Sequence, residues 1–165
     1  MGDLSRLTKD RADSVWRDTR MGQLVEPSVN DGAQLVENAH QRIFNFTPDP
    51  RFRGEIVLVN GHVNVMCPSA SGILLYNVRA VGSGVTSDRG TSGSMREWTP
   101  GSTFPVPVGV PNTRRWGASF CFEVELSQAG DVGVDLRLEY GGTYRFTNVS
   151  YLQSRLFIQL LTYPV

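Results

Sequence analysis

Two histidines, His40 and His62, are the only imidazole groups that the chain offers for metal binding or base catalysis. Neither lies at a metal-ligand spacing from a cysteine or a carboxylate. No aspartate-rich loop matches a calcium site. His62 directly follows Asn60-Gly61, a favoured turn pair, and a solvated position beside that turn is predicted for it. The sequence therefore predicts no metal site and no cofactor.

Four carboxylates could still gather on one sheet face: Glu123, Glu125, Asp131 and Asp135. The outcome depends on the register of the strands that carry them. One register sets Glu123 opposite Asp135, which repels, and another sets it opposite Arg137, which attracts. Because the attractive register is favoured, we interpret this group as a solvated outer face, not as a metal site or the carboxylate pair of a glycosidase.

Nucleophilic catalysis needs a nucleophile, a base and an orienting group. Serines are plentiful, but no G-x-S-x-G motif in a strand–turn–helix context is present. Cys67 and Cys121 have neither a helix N-terminus nor a histidine partner in their sequence context, and whether they form a disulfide is left open. The chain is therefore predicted not to be an enzyme.

The segment Arg114-Arg115-Trp116 places two guanidinium groups beside a stacking ring, as single-strand nucleic-acid binders do. The chain has 16 basic and 16 acidic residues, however, so no overall field attracts nucleic acid or an anionic membrane. Nucleic-acid binding is not expected. Together with Trp98, the same three residues form a candidate rim for a glycan or a host receptor.

The pattern divides the chain into an arm, residues 1–41, and a body, residues 42–165. The arm is predicted to be extended or to contain short helices, one in the charged segment 3–20 and one after Asn30. A lone large aromatic in a charged arm usually packs against a partner, so Trp16 is predicted to lie at an interface.

The chain opens with MGDLSRLTKDRADS, which contains no apolar signal-peptide core. No apolar run approaches the roughly 18 residues of a membrane-spanning helix. We therefore expect no export signal and no membrane partner.

From Arg42 onward the hydrophobic period is two, and turn residues recur about every 8–12 residues, which is typical of an antiparallel β-sandwich. Roughly eight to ten strands would make it a jelly roll. Asn60-Gly61 predicts a two-residue hairpin. Its inward face would carry Ile56, Leu58, Val63 and Val65. Residues 82–115 form a long connection rich in glycine, serine, threonine and proline.

The segment 116–149 alternates apolar and polar residues and predicts a three-stranded meander. Its second turn would bring Glu139 beside Arg145, a favourable pair on the outer surface.

The chain ends in RLFIQLLTYPV, which is apolar at nearly every position. As a strand, this segment puts Leu156, Ile158 and Leu160 on one face. The other face carries a second apolar set: Phe157, Leu161 and Tyr163. The sandwich needs only one face for its own core, so the second set and Trp16 are predicted to lie in a homo-oligomer interface, with a trimer favoured.

In outline, the charged arm, small jelly-roll body, long Gly/Pro connection and apolar last strand resemble the accessory proteins of tailed-bacteriophage particles. These are decoration or cement proteins, spike bases and fibre-head domains. The resemblance implies a non-enzymatic structural protein of the virion, whose arm contacts neighbouring subunits or other virion proteins and whose sandwich trimerises. The alternative is a carbohydrate- or receptor-binding β-sandwich module.

Overall fold

A computed structural model of the chain describes residues 22–66, 74–97, 115–139, 144–148 and 153–161. This part consists of ten strands and a short 3-10 turn at Pro50–Phe52, with no α-helix among the described residues. The strands are β1 (Gly22–Val25), β2 (Gln34–Leu35), β3 (Gln41–Phe46), β4 (Ile56–Met66), β5 (Leu74–Val81), β6 (Arg89–Glu97), β7 (Arg115–Glu125), β8 (Val132–Glu139), β9 (Tyr144–Thr147) and β10 (Arg155–Leu160).

The strands form two antiparallel sheets that face each other. Sheet 1 has the order β1-β10-β4-β7, and sheet 2 has the order β3-β8-β5-β6. Two short strands extend sheet 1, because β9 pairs with the end of β4 and with β2. β6 joins the sheets: most of it pairs with β5, and its last two residues, Arg96 and Glu97, pair with β7. Eight strands wound in this order form a jelly roll, so the predicted β-sandwich is confirmed.

The core lies between the sheets because most strands are apolar on the side that faces the other sheet. The alternation predicted for β7 and β8 is confirmed on this side. The inward residues of these strands that are buried include Trp116, Ala118, Phe120, Val124, Val132, Val134, Leu136 and Leu138. β10 contributes Leu156 and Ile158, which are also buried, as predicted. Burial of one face of each strand is the main force that holds the sandwich together.

The predicted hairpin at Asn60-Gly61 is wrong, because β4 runs through this pair as one continuous strand. β4 pairs with β7 along its whole length. Its other edge pairs with β10 and then β9. Gly61 lacks the positive φ that a type I′ turn requires. The glycine serves packing instead, because a Cβ at this position would overlap the ring of Phe120.

Continuity of β4 shifts the predicted inward face by one residue in its first half. Val57 and Val59 are buried, whereas Ile56 and Leu58 point outward. Val63 and Val65 are buried as predicted.

The predicted meander is also wrong, because β7, β8 and β9 are not neighbours. β7 and β9 pair with β4, while β8 pairs with β5 and β3 in the other sheet. Glu139 therefore lies near Arg137, at 3.4 Å, and not beside Arg145. Glu123 lies opposite Leu58 in β4, so neither register considered for it occurs. The long connection predicted after β5 contains β6, which tertiary pairing holds as a strand despite its glycines and serines.

The helix predicted after Asn30 is wrong, because Gly32 has a φ of 78° and the next residues form β2. Within the predicted arm, residues 22–41 pair with the body: β1 joins β10, and β2 joins β9. Val25 and Leu35 are buried in the shared core. Residues 1–21, with Trp16 and the first predicted helix, lie outside the described residues, and the division at residue 41 stays a prediction.

Candidate interaction surface

The two outer faces of the sandwich differ in chemistry. On sheet 2, Asp135 is mostly buried, and its carboxylate accepts a hydrogen bond from Arg42 Nε at 2.6 Å. Arg79 lies 3.7 Å from the other oxygen of the same carboxylate. Arg137 pairs with Glu139. The charges at the centre of this face therefore have partners within the chain.

The outer face of sheet 1 carries a strip of exposed apolar side chains that runs from β1 across β10 to the start of β4. Leu24 on β1 and Phe157 on β10 lie opposite each other and are 54% and 36% exposed. Ile56 on β4 is 41% exposed, and Leu58 beside it is half-buried. A side chain at Gly22 would overlap the Phe157 ring, so the glycine lets this ring lie flat along the strand. We call the outer side of β1, β10, β4 and β7 the docking face.

A shallow depression of about 540 Å³ lies within the docking face. Leu24 and Phe157 form its apolar side. Its polar lining comes from Asn60, His62, Ser119, Cys121 and Arg155. Cys121 is a free, exposed thiol, and Cys67 lies outside the described residues.

His62 is held by hydrogen bonds with two neighbouring side chains. Its Nδ1 lies 2.9 Å from Ser119 Oγ, and its Nε2 lies 3.2 Å from Asn64 Oδ1. The Asn64 amide nitrogen donates to the carbonyl of Gln153 at 3.1 Å, which turns Asn64 Oδ1 toward the ring. Asn64 therefore accepts from Nε2–H, and Nδ1 accepts from the serine hydroxyl.

Burial lowers the pKa of His62 below its usual value of 6.5, so the ring is neutral near pH 7. A serine, a neutral imidazole and an orienting amide are the components of a nucleophile–base pair. Here they lie on a sheet surface beside a shallow depression, without the closed pocket that excludes water from acyl-transfer sites. The sequence could not indicate this cluster, because the predicted hairpin separated His62 from Ser119.

Three charged residues of the docking face have no ion pair among the described residues: Arg155, Glu123 and Glu125. Arg155 lies opposite His62, and Glu123 lies opposite Leu58. Arg89 lines a small groove with both glutamates but forms no ion pair with either of them. Among the described residues, the docking face thus carries a positive charge without an ion pair at one corner and two such negative charges at the other.

The residues predicted for an oligomer interface are only partly described. Phe157 lies on the docking face, and Leu161, just after β10, is half-buried and donates its backbone N–H to the Ile56 carbonyl at 3.1 Å. Trp16 and Tyr163 lie outside the described residues.

The predicted ligand rim is not formed by the residues that can be located. Trp116 is 3% exposed and lies opposite Val65 in the core, and Arg115 is 7% exposed. Neither side chain faces solvent as a rim requires. Trp98 and Arg114 lie outside the described residues.

No family model matches the chain, and no curated protein matches it. Among solved structures, it is similar to the Eiger TNF of S. frugiperda, with a TM-score of 0.48 and 7% sequence identity. The match covers 88% of this chain and 94% of that chain. The likeness carries no information about function, and the jelly roll follows from the strand order given above.

No helix in the described ranges is long and apolar enough to cross a bilayer. Within those same ranges, no three histidine, cysteine or acidic side chains lie close enough together to hold a metal ion.

Proposed function

We propose that the chain is a non-enzymatic structural subunit that assembles with copies of itself through the docking face. The observation that carries this proposal is the contrast between the two outer faces of the sandwich. Sheet 2 presents charges paired within the chain, whereas sheet 1 presents Leu24, Ile56 and Phe157 to solvent. An exposed apolar patch bordered by polar residues is the usual mark of an interaction site.

A second copy is a better cover for this face than the part of the long connection that the structure describes. The described part of that connection, β6, pairs with β5 over most of its length and so belongs to sheet 2. It lies across the core from the docking face. A copy of the chain brings an equally apolar surface, as obligate interfaces do.

The particle in which such a subunit works is proposed to be a virion, by the resemblance to phage accessory proteins. β1 is the edge strand of sheet 1, and residues 1–21 precede it directly. Gly22, the residue that follows the proposed arm, therefore lies at the border of the docking face. This position supports arm-mediated contact.

Sedimentation equilibrium of the full chain tests the proposal, from about 1 to 100 µM because interfaces of modest area associate in this range. We expect reversible self-association that Phe157→Glu and Leu24→Glu abolish. The matched control is Val36→Glu, since Val36 is 59% exposed but does not lie on the docking face. A wild-type chain that stays monomeric throughout would contradict the proposal.

A second candidate function is glycan binding, and one group of residues favours it. The side chains of Arg155 and Asn60 have no hydrogen-bond partner among the described residues, and both line the depression beside the Phe157 ring. A guanidinium, a free amide and an exposed ring suit a sugar that carries a carboxylate. Titration with N-acetylneuraminic acid and glucuronate, followed by NMR, tests this. Binding should disappear in Arg155→Ala and persist in Glu37→Lys.

A further inference from the structure

We infer that the second copy sits across a two-fold axis, so that Arg155 of each subunit pairs with the glutamate corner of the other, formed by Glu123 and Glu125. This inference rests on the proposed function, since it names the partner and the register of the same face. It replaces a trimer by a dimer as the unit of assembly.

The charges of the two outer faces differ in whether they have partners within the chain. On sheet 2 Arg42, Asp135 and Arg137 all have partners in the chain. On the docking face the three charges have none among the described residues. Charged groups at an interface are arranged to be complementary across it. Unpaired charges of opposite sign on one face are therefore what a surface that binds its own copy requires.

The two charged corners of the docking face lie too far apart to pair within one chain. Arg155 and Glu123 are two strands apart, and their partners on β4, His62 and Leu58, are four residues apart. With strands about 4.8 Å apart and about 3.4 Å per residue, the two positions are separated by roughly 17 Å. This is too far for an ion pair within one chain. Between two copies, the same separation is bridged if one corner lies over the other.

A two-fold axis can place each charged corner over the opposite corner of a second copy. The midpoint between Arg155 and Glu123 falls on β4 at Asn60. A two-fold axis that lies in the interface, passes over Asn60 and runs perpendicular to the line joining the two corners exchanges them and makes two equivalent ion pairs. It also brings the two Asn60 amides together, where each can donate to and accept from the other.

The same axis also matches the apolar residues. On a flat grid with these spacings, it places Phe157 of one copy within about 3 Å of the position above Leu58 of the other. On the same grid, Leu24 of one copy lies near the positions above Leu58 and Ile56 of the other copy. One symmetry operation thus pairs unlike charges, free amides and apolar side chains at once. A three-fold axis would instead set the docking face against a different surface, which would leave these matches unused.

The size of the face sets the expected affinity. Four strands and about seven residues per strand give a flat area of about 450 Å² per copy, so the dimer buries on the order of 1,000–1,500 Å² in total once side-chain relief is included. This is the low end of specific interfaces. We therefore expect dissociation at micromolar concentrations.

The test uses two charge-reversed full-length chains, Arg155→Glu and the double variant Glu123→Arg/Glu125→Arg. In a homodimer of either one, like charges meet at both contacts, so each should dimerise at least about a hundredfold more weakly than wild type. In a mixed dimer, the glutamate introduced at position 155 of one variant faces the arginines introduced at positions 123 and 125 of the other, so this contact is attractive. The second contact pairs the unchanged Arg155 with the unchanged Glu123 and Glu125. An equimolar mixture should therefore recover a dimer of twice the 18.3 kDa chain mass.

Sedimentation and native mass spectrometry separate the outcomes. Glu37→Lys, a charge reversal away from the docking face, should dimerise like wild type, and circular dichroism should show unchanged β structure in every variant. Wild-type chains that never associate would overturn the inference together with the proposed function. Wild-type chains that form trimers, or that associate while the mixed variants do not, would overturn the two-fold register and leave self-association standing.

Discussion

Replacing Gly61 by alanine tests the most consequential correction to the sequence-based interpretation, the continuous strand β4. A Cβ at this position overlaps the Phe120 ring, whose side chain is otherwise 6% exposed. The ring must move out of its site, and losing part of its burial costs about 2–3 kcal/mol. An alanine in a strand interior would otherwise gain about 0.5–1 kcal/mol over glycine. We therefore expect Gly61→Ala to lower the free energy of unfolding by about 2 kcal/mol.

The decisive comparison is the same substitution in a Phe120→Ala background. Without the ring the new methyl group has room, so Gly61→Ala should there be neutral or slightly stabilising, and the two changes should couple by about 2–3 kcal/mol. Urea denaturation of the four chains at one fixed protein concentration measures this, because self-association would otherwise add to the apparent stability. If Gly61 were a turn residue, the cost would be one of backbone strain and Phe120→Ala would not relieve it. A coupling energy below about 0.5 kcal/mol would therefore refute the packing argument.

Three further predictions concern stability. A chain that starts at Arg42 lacks β1 and β2 and with them the buried Val25 and Leu35, so its urea midpoint should fall clearly below that of the full chain; an unchanged midpoint would mean that these strands add nothing to the core. His62 has a lowered pKa in the folded chain, so the unfolded chain binds its proton more readily and stability should fall as the pH drops below about 6.5; His62→Gln should remove this part of the pH dependence, and an identical profile in the variant would contradict it. Asp135→Asn leaves its arginine partners without their carboxylate and should cost about 2 kcal/mol, measured by thermal or urea unfolding, whereas a loss below about 0.5 kcal/mol would show that the network is solvated.

The alternation of apolar residues predicted the buried side correctly where one face of a strand is buried and the other is exposed to solvent. In β7, Phe120 and Val124 alternate with Ser119 and Glu123, and the core lies on the side this pattern predicts. The local signal and the tertiary burial agree there, because both depend on the same two-residue period.

The order of the strands could not be predicted from local sequence patterns, because strand pairing joins segments that are far apart in sequence. β7 and β8 are consecutive in sequence but belong to different sheets. At Asn60-Gly61 a strong local turn preference gave way to ladders on both edges of β4. A turn-favouring pair in the sequence shows only that the backbone is able to turn there. Whether a turn forms depends on the pairing with neighbouring strands.

The candidate site was predicted in part. Phe157 was expected on a face that needs a cover, since the C-terminal segment RLFIQLLTYPV is apolar at nearly every position. The cluster of His62 and Ser119 joins residues 57 positions apart and depends on the β4–β7 register, which no local pattern contains. The same holds for Arg155 and Glu123, because their separation on the docking face depends on the strand order of sheet 1.

β6 belongs to both sheets, so at this side a single strand holds the sheets together by backbone ladders. At that side the covalent chain passes from sheet 2 into sheet 1, so the sheets cannot slide past each other there. At the opposite side β1 and the segment after β3 are held by a few hydrogen bonds. The Gln23 side chain donates from Nε2 to the Thr47 carbonyl and accepts at Oε1 from the Asp49 N–H. The two sheets should therefore separate first at the β1 edge, while the β6 edge stays closed. Amide hydrogen exchange should then be fastest at β1 and slowest in β5 and β7. Since β1 borders the docking face, a bound copy should hold this edge of the sandwich closed and slow exchange in β1.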